Sequence, residues 1–167
     1  MISVAHGTEE NKDGIIIFKG TEEVPCPKCG GELSVRGTCR RKLCSRYEEK
    51  TYRLRVMECT ACGKTHRELP QGVVPYKRMD AEYLCDIAEA PRSEQVNVAE
   101  ASTWSRVHAW MKWFLEYVAN ILKSMQEQFP ALATIPSGES ASRQLAYFVL
   151  LVVNSGNWLQ HRSAHTG

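Results

Sequence analysis

The chain has 167 residues, of which 43% are hydrophobic and 24% are charged, and its formal net charge is +2. This length allows one domain or two small ones, with the composition of an ordinary globular protein. The longest apolar run, residues 145–153, is too short to cross a bilayer, so we expect no membrane segment.

Residues 1–24 form an N-terminal extension with one predicted strand, "GIIIFK" at 14–19, which acidic residues flank. The first fourteen residues lack the basic start and apolar run of a secretion signal. We therefore expect a cytoplasmic protein. In that reducing compartment cysteines favour metal binding over disulfides.

Residues 25–78 contain two Cys-x-x-Cys-Gly turns, at Cys26 and Cys29 and again at Cys59 and Cys62. Each turn points two thiolates at one metal, and the glycine lets the chain turn back with a positive φ. Two such turns complete the four-sulfur shell of structural zinc, so we predict a four-cysteine zinc ribbon built from antiparallel strands. The spacing also resembles rubredoxin, an iron electron carrier, but rubredoxins are acidic and this segment is basic.

Two strands are predicted inside the ribbon, in "ELSVRG" and "TYRLRVME". In the second, apolar residues such as Leu54 alternate with Arg53 and Arg55, which predicts one apolar and one cationic face. The segment "TCRRKLCSRYEEK" between them is predicted to be a basic loop or hairpin tip. Its Cys39 and Cys44 are either incidental reduced cysteines, a second metal site or a redox switch. His66 is expected at the surface, facing solvent or a phosphate.

The ribbon carries most of the positive charge. Residues 26–78 contain thirteen Lys and Arg against five Asp and Glu, and the rest of the chain has eight against fourteen. This asymmetry predicts a polyanion partner, double-stranded DNA, although a solvated charged face would have the same composition. The candidate DNA-contacting residues of the ribbon are Arg36, Arg40, Arg41, Lys42, Arg53, Arg55, Lys64, Arg67, Lys77 and Arg78.

Residues 79–129 have the periodicity of two helices, the first with Asp80 as N-cap and the second capped by Ser102 or Thr103. This order predicts a helix-turn-helix, with an ordinary bundle helix as the alternative. With Trp104, Val107 and Met111 turned inward, small hydroxyls and cations point outward, as suits a major groove. The outward residues are Ser102, Thr103, Ser105, Arg106 and Lys112.

A second stripe on the long helix is aromatic and contains Trp110, Trp113 and Tyr117. It is expected either to pack under the last helix or to form a surface for a protein partner or self-association. Residues 130–167 are predicted to form that last helix, at about 141–153 with Gly156 as C-cap, and a tail. The fold class is therefore α+β.

The segments "CPKCGGELSVRGTCRRK", "TYRLRVMECTACGKTHRELPQGVVPYKR" and "STWSRVHAWMKWF" resemble a family of small bacterial zinc-binding proteins of unknown function. The resemblance covers about residues 25–115, and the family is similar in plan to the zinc-ribbon plus helix-turn-helix N-termini of insertion-sequence transposases. It implies a zinc-dependent DNA-binding protein, derived from a transposase or associated with a mobile element. Glu139 is the only carboxylate side chain after residue 130, so we expect no nuclease domain and no enzyme.

Other functions fit the same pattern. The protein could be an adaptor that docks on a larger nucleic-acid machine, or an antitoxin-like transcriptional repressor, since some antitoxins join a similar ribbon to a helix-turn-helix. An electron carrier is the last of these alternatives. DNA binding that weakens with salt would favour the DNA-binding protein or the repressor, and retention of a protein partner at high salt would favour the adaptor.

Overall fold

The computed structural model describes residues 1–91, 93–94, 99–128 and 138–158, without the side chains of residues 6 and 125–128. These residues form a mixed α+β fold. The strands are β1 Ile2–Val4, β2 His6–Glu10, β3 Ile15–Gly20, β4 Leu33–Cys44, β5 Glu49–Cys59 and β6 Thr65–Pro70. The helices are α1 Ala81–Glu89, α2 Ala101–Gln128 and α3 Ala141–Asn154. The predicted break at Pro130 and most of the predicted tail lie outside the described residues.

Strand β5 is the centre of the sheet. Strand β4 pairs with it antiparallel along its whole length, from Leu33 opposite Cys59 to Cys44 opposite Glu49. The other edge of β5 is shared by β3, which is parallel to it, and β6, which is antiparallel. Strand β1 then extends the sheet beyond β6, and β2 extends it beyond β3. Strands β4, β5 and β6, called the ribbon below, are antiparallel neighbours inside a larger curled sheet.

Two strand predictions were wrong in extent. Residues 1–24 contain three strands, β1 to β3, where the sequence indicated one. The segment predicted as a basic loop continues β4 as far as Cys44, because Thr38 to Cys44 all pair with β5, and only residues 45–48 form the hairpin tip. Successive residues of a strand face opposite sides of the sheet. Arg41 therefore lies on the opposite face from Arg40 and Lys42.

Helices α1, α2 and α3 lie in the segments where the sequence predicted helices, with two corrections. The Asp80 carboxylate accepts from Tyr83 N at 2.8 Å and caps α1, as expected. Helix α2 begins before Ser102 and Thr103, since the N–H groups of Thr103 and Trp104 already donate to Glu100 O at 2.9 Å. The buried stripe of α2 includes Val107 of the predicted inward face but also Trp110, while Trp104 and Met111 are only half-buried. Its buried members are Val107, Trp110, Phe114, Val118 and Leu122.

The described residues form two hydrophobic cores, one among the helices and one on the sheet, and Met1 packs against both. Strand β1 joins them: the Asn154 side chain at the end of α3 bonds the backbone N and O of Ser3, each at 2.8 Å. Arg41 makes a second link, because its guanidinium donates to Val74 O at 2.9 Å and to Lys77 O. No helix in the described part of the chain is long and apolar enough to cross a membrane.

A buried ion pair joins β5 to β6. Arg55 Nε and Nη2 each donate to an oxygen of the Glu68 carboxylate at 2.6 Å, and Nη2 also donates to Gly20 O at 3.2 Å. The Glu68 side chain is 2% exposed. Gly20 leaves room for this pair, because a Cβ there would lie 2.6 Å from Glu68 Oε1. The hydrogen bond to Glu68 raises the pKa of Arg55 above its usual value.

Arg55→Ala should destabilise the protein by about 3 kcal/mol, because it leaves a buried carboxylate without its partner. Arg53→Ala is the matched control: Arg53 lies two residues away on the same face of β5 and makes no ion pair among the described residues. Arg53→Ala should change the free energy of unfolding by no more than about 0.5 kcal/mol. Urea unfolding measures both, and equal midpoints for the two variants would contradict this assignment.

Candidate metal centre

Four cysteine sulfurs meet at the open end of the β4–β5 hairpin. The Sγ atoms of Cys26, Cys29, Cys59 and Cys62 all lie within 4.8 Å of one another. Cys26 Sγ is 3.8 Å from Cys62 Sγ, and Cys29 Sγ is 3.5 Å from Cys59 Sγ. A tetrahedral ion with bonds of about 2.3 Å to sulfur separates its ligands by about 3.8 Å. The prediction that these four residues come together is confirmed, and their spacing fits a single metal ion.

The two turns have the same backbone geometry. Gly30 N donates to Cys26 O at 2.8 Å, and Gly63 N donates to Cys59 O at 2.9 Å. Gly30 and Gly63 have φ of 73° and 65°, as the motif predicted. The turns also pack tightly on each other, because a Cβ on Gly31 would lie 2.8 Å from the Cβ of Ala61. Local sequence therefore builds each turn, and the β4–β5 pairing brings the turns together.

The thiol pKa values show how the sulfurs affect one another. The backbone N–H groups of Cys62 and Ala61 stabilise the Cys59 thiolate and lower its pKa to about 7. Gly31 N–H lowers the pKa of Cys29, but the crowded sulfurs of its three neighbours more than offset this and raise it to about 12. Four thiolates this close repel one another unless a cation lies between them. The group is thus suited to a metal and poorly suited to four thiolates without one.

His66 borders the cluster, although it was expected at the surface. It is 8% exposed, with Nε2 at 3.3 Å from Cys26 Sγ and Nδ1 at 3.3 Å from Met1 N. An Nδ1 that accepts from Met1 leaves the proton on Nε2, which then donates to the sulfur. Burial, followed by the positive N-terminus, lowers the pKa of His66, which keeps the imidazole neutral. The imidazole thus orients the Cys26 sulfur. The only sequence signal for it is its place four residues after Cys62.

The remaining cysteines stand apart from the metal group. Among the described residues, the potential metal ligands that cluster are the four cysteines of the two turns alone. Cys39 and Cys44 lie on β4, and Cys44 Sγ contacts Glu49 Oε2 at 3.7 Å. Cys85 is buried in the helical core, and that burial raises its pKa to about 11. The "CRRKLC" segment therefore forms no second metal group within the described part of the chain.

The candidate DNA-contacting residues of the ribbon fall into two sets. The first set already has partners: Arg41 and Arg55 are held as described above, Arg36 pairs with Glu58 at 3.2 Å, and Lys42 pairs with Glu49 at 2.7 Å. Lys77 Nζ also belongs to this set, at 4.7 Å from the centre of the Trp110 ring. The second set makes no ion pair within the described residues. Its members are Arg40, Arg53, Lys64, Arg67 and Arg78.

On α2, the predicted base-reading residues lie on the solvent side of the helix. Ser102, Ser105, Arg106 and Lys112 are exposed, and Thr103 is half-buried. The Arg106 guanidinium bonds its own helix, to Ser102 O at 3.1 Å and to Thr103 Oγ1 at 3.4 Å. It would have to leave these bonds to contact a base.

The aromatic residues considered as a partner surface contribute to the helical core. Trp110 stacks on Phe114 with ring centres 5.1 Å apart and is 7% exposed. Trp113 and Tyr117 stack at 5.3 Å, and Tyr117 Oη donates to Asn157 O beyond the end of α3 at 3.0 Å. The sequence left open whether this stripe packs beneath the last helix or forms a partner surface. The contacts seen here are packing beneath the last helix.

Residues 26–107 match a family model described as a domain of unknown function (DUF6431). The matched segment begins at the first metal-site cysteine and ends in the first turns of α2. It therefore contains both cysteine turns, the ribbon strands and α1. No curated protein and no solved structure gives a significant match to the chain.

Cys59→Ser should abolish stoichiometric metal binding, while Cys44→Ser, on the same β-hairpin but outside the cluster, should retain it. The helical signal of Cys59→Ser in circular dichroism should largely survive, because the helical core is separate from the sheet core. Metal content by mass spectrometry and far-ultraviolet circular dichroism measure the two effects. Metal retained by Cys59→Ser would disprove the assigned ligands.

Proposed function

We propose that this protein is a zinc-dependent DNA-binding protein without catalytic activity. The observation that carries the proposal is the four-sulfur cluster at the end of a strand ribbon whose cations exceed its carboxylates. Four protein sulfurs leave no open coordination position, which favours structural zinc over a catalytic metal. When bound, zinc would supply the cross-link that holds the two turns together, and the ribbon would present its cations to phosphates.

The cationic outer face, defined here as Arg40, Lys42, Arg53 and Arg55, supports DNA contact. Arg40 and Arg53 are directly opposite in the β4–β5 ladder, so their side chains lie on one face. Like charges placed directly opposite destabilise a sheet, and an anion between them would relieve that cost. Lys42 shares the face, and its ion pair with Glu49 is exposed and therefore weak enough to exchange for a phosphate. Arg55 is occupied by Glu68, which leaves about three phosphate contacts.

Helix α2 supports a smaller contribution to sequence preference. Its first turns expose hydroxyls and cations, but Arg106 is held by its own helix. The resemblance to transposase N-termini favours an accessory or regulatory role at mobile elements, and an antitoxin-like repressor would use the same surfaces. The partner-docking alternative is weaker, because Trp110 is taken up by the helical core.

The outer face should bind duplex DNA with a log–log salt slope of about −3, since each neutralised phosphate contributes about −0.9. Arg40→Ala combined with Arg53→Ala should weaken binding to every sequence alike and bring the slope to about −1. Lys123→Ala is the control: it removes an exposed cation from α2, far along the helix from its first turns. Fluorescence anisotropy over a salt series measures the slopes. Absence of duplex binding at about 50 mM salt, where the attraction is strongest, would refute the proposal.

A further inference from the structure

A second positively charged surface lies on the opposite side of the ribbon from the cationic outer face. It is a cleft of about 930 Å³ between the two cysteine turns and the end of α3. At one end of the cleft, Gly156 lies against the first cysteine turn, so closely that a Cβ on it would be 2.6 Å from Pro27 O. The volume is within the range of small-ligand sites. The lining residues that carry the argument are Lys28, Lys64, Arg67 and Tyr76.

The charge of the cleft is of one sign. Lys28 and Lys64 come from the two cysteine turns and Arg67 from β6, and none of the described lining residues is acidic. These three side chains also make no ion pair among the described residues. A second cleft of about 860 Å³ differs, since Glu48, Glu82 and Glu139 are among its lining residues. Of these two clefts, the one beside the cysteine turns has cations but no carboxylate among its described lining residues, and this charge points to an anionic ligand.

Tyr76 adds an aromatic surface to this cleft. Its side chain is 55% exposed, and its φ of 61° makes it the one non-glycine residue with positive φ in the described chain. This conformation is costly for a residue with a bulky side chain. Strain of this kind is often retained where a side chain is needed for function. Glycine would relieve the strain but would also remove the exposed ring.

We propose that this cleft binds single-stranded nucleic acid, with backbone phosphates on Lys28, Lys64 and Arg67 and a base stacked on Tyr76. Cations that follow the backbone beside an exposed aromatic ring are the combination by which proteins hold unpaired strands. A duplex keeps its bases stacked inside, so it could use the cations but not the ring. The site is separate from the cationic outer face and does not depend on duplex binding there.

The test is binding of labelled oligo(dT) to the full-length, metal-loaded protein, measured by anisotropy over a salt series. Three phosphate contacts predict a slope of about −2, which Lys28→Ala with Lys64→Ala should reduce to about −0.7. Tyr76→Ala should raise the Kd at least about 5-fold, and Tyr76→Phe, which keeps the ring, should bind like the wild type. Lys123→Ala, which removes an exposed cation of α2 outside both surfaces, should leave oligo(dT) affinity unchanged. The Tyr76→Ala effect should persist when Arg40 and Arg53 are both alanine, so failure of the duplex proposal would not affect this result.

Tyr76→Gly separates function from folding. It relieves the positive φ, and it should bind oligo(dT) as weakly as Tyr76→Ala at a temperature where circular dichroism shows that the variant is folded. Unchanged oligo(dT) affinity in the lysine and Tyr76 variants would overturn the proposal. Competition by poly-glutamate as strong as that by oligo(dT) would overturn it as well, because a peptide carboxylate offers charge without a base to stack.

Discussion

The fold of the ribbon depends on bringing four cysteine sulfurs within 4.8 Å of one another. The two turns that carry them lie side by side because β4 and β5 pair from the hairpin tip to Leu33 and Cys59. Thiolates at this separation repel, so the pairing and the metal support each other: the strands position the sulfurs, and a cation removes the repulsion that would open the strands. The close approach of Gly156 to Pro27 places the end of α3 against the first cysteine turn.

Sequence reasoning succeeded where the determinants are local. The Cys-x-x-Cys-Gly turns, the Asp80 cap and the positive φ of Gly156 each follow from a few neighbouring residues, and each is present. It failed where a contact depends on distant chain segments. His66 is buried because Met1 and Cys26 lie against it, 65 and 40 residues away in sequence. Similarly, the basic run Arg40–Lys42 has the composition of a loop, and only its pairing with β5 makes it a strand.

The number of charged residues in the ribbon does not show how much positive charge is available, because many of its cations form ion pairs. Cations near the hairpin tip, such as Lys42 and Lys50, are matched by the glutamates at 48 and 49. Cations near the cysteine turns, such as Lys64 and Arg67, have no such partner among the described residues. The sequence predicted a basic hairpin tip. In the structure, several cations of the tip are in ion pairs, and cations without such partners lie near the cysteine turns. The cysteine turns that could hold a metal also carry Lys28 and Lys64.

X-ray absorption spectroscopy of the purified protein tests the central claim most directly, because it identifies both the metal and its ligand atoms. The account predicts a zinc edge and a single shell of four sulfurs at about 2.3 Å. His66 Nε2 lies only 3.3 Å from Cys26 Sγ, so a different ligand set is a realistic competitor. An iron edge, or a shell of three sulfurs with one nitrogen at about 2.0 Å, would contradict the assignment of a four-cysteine zinc site.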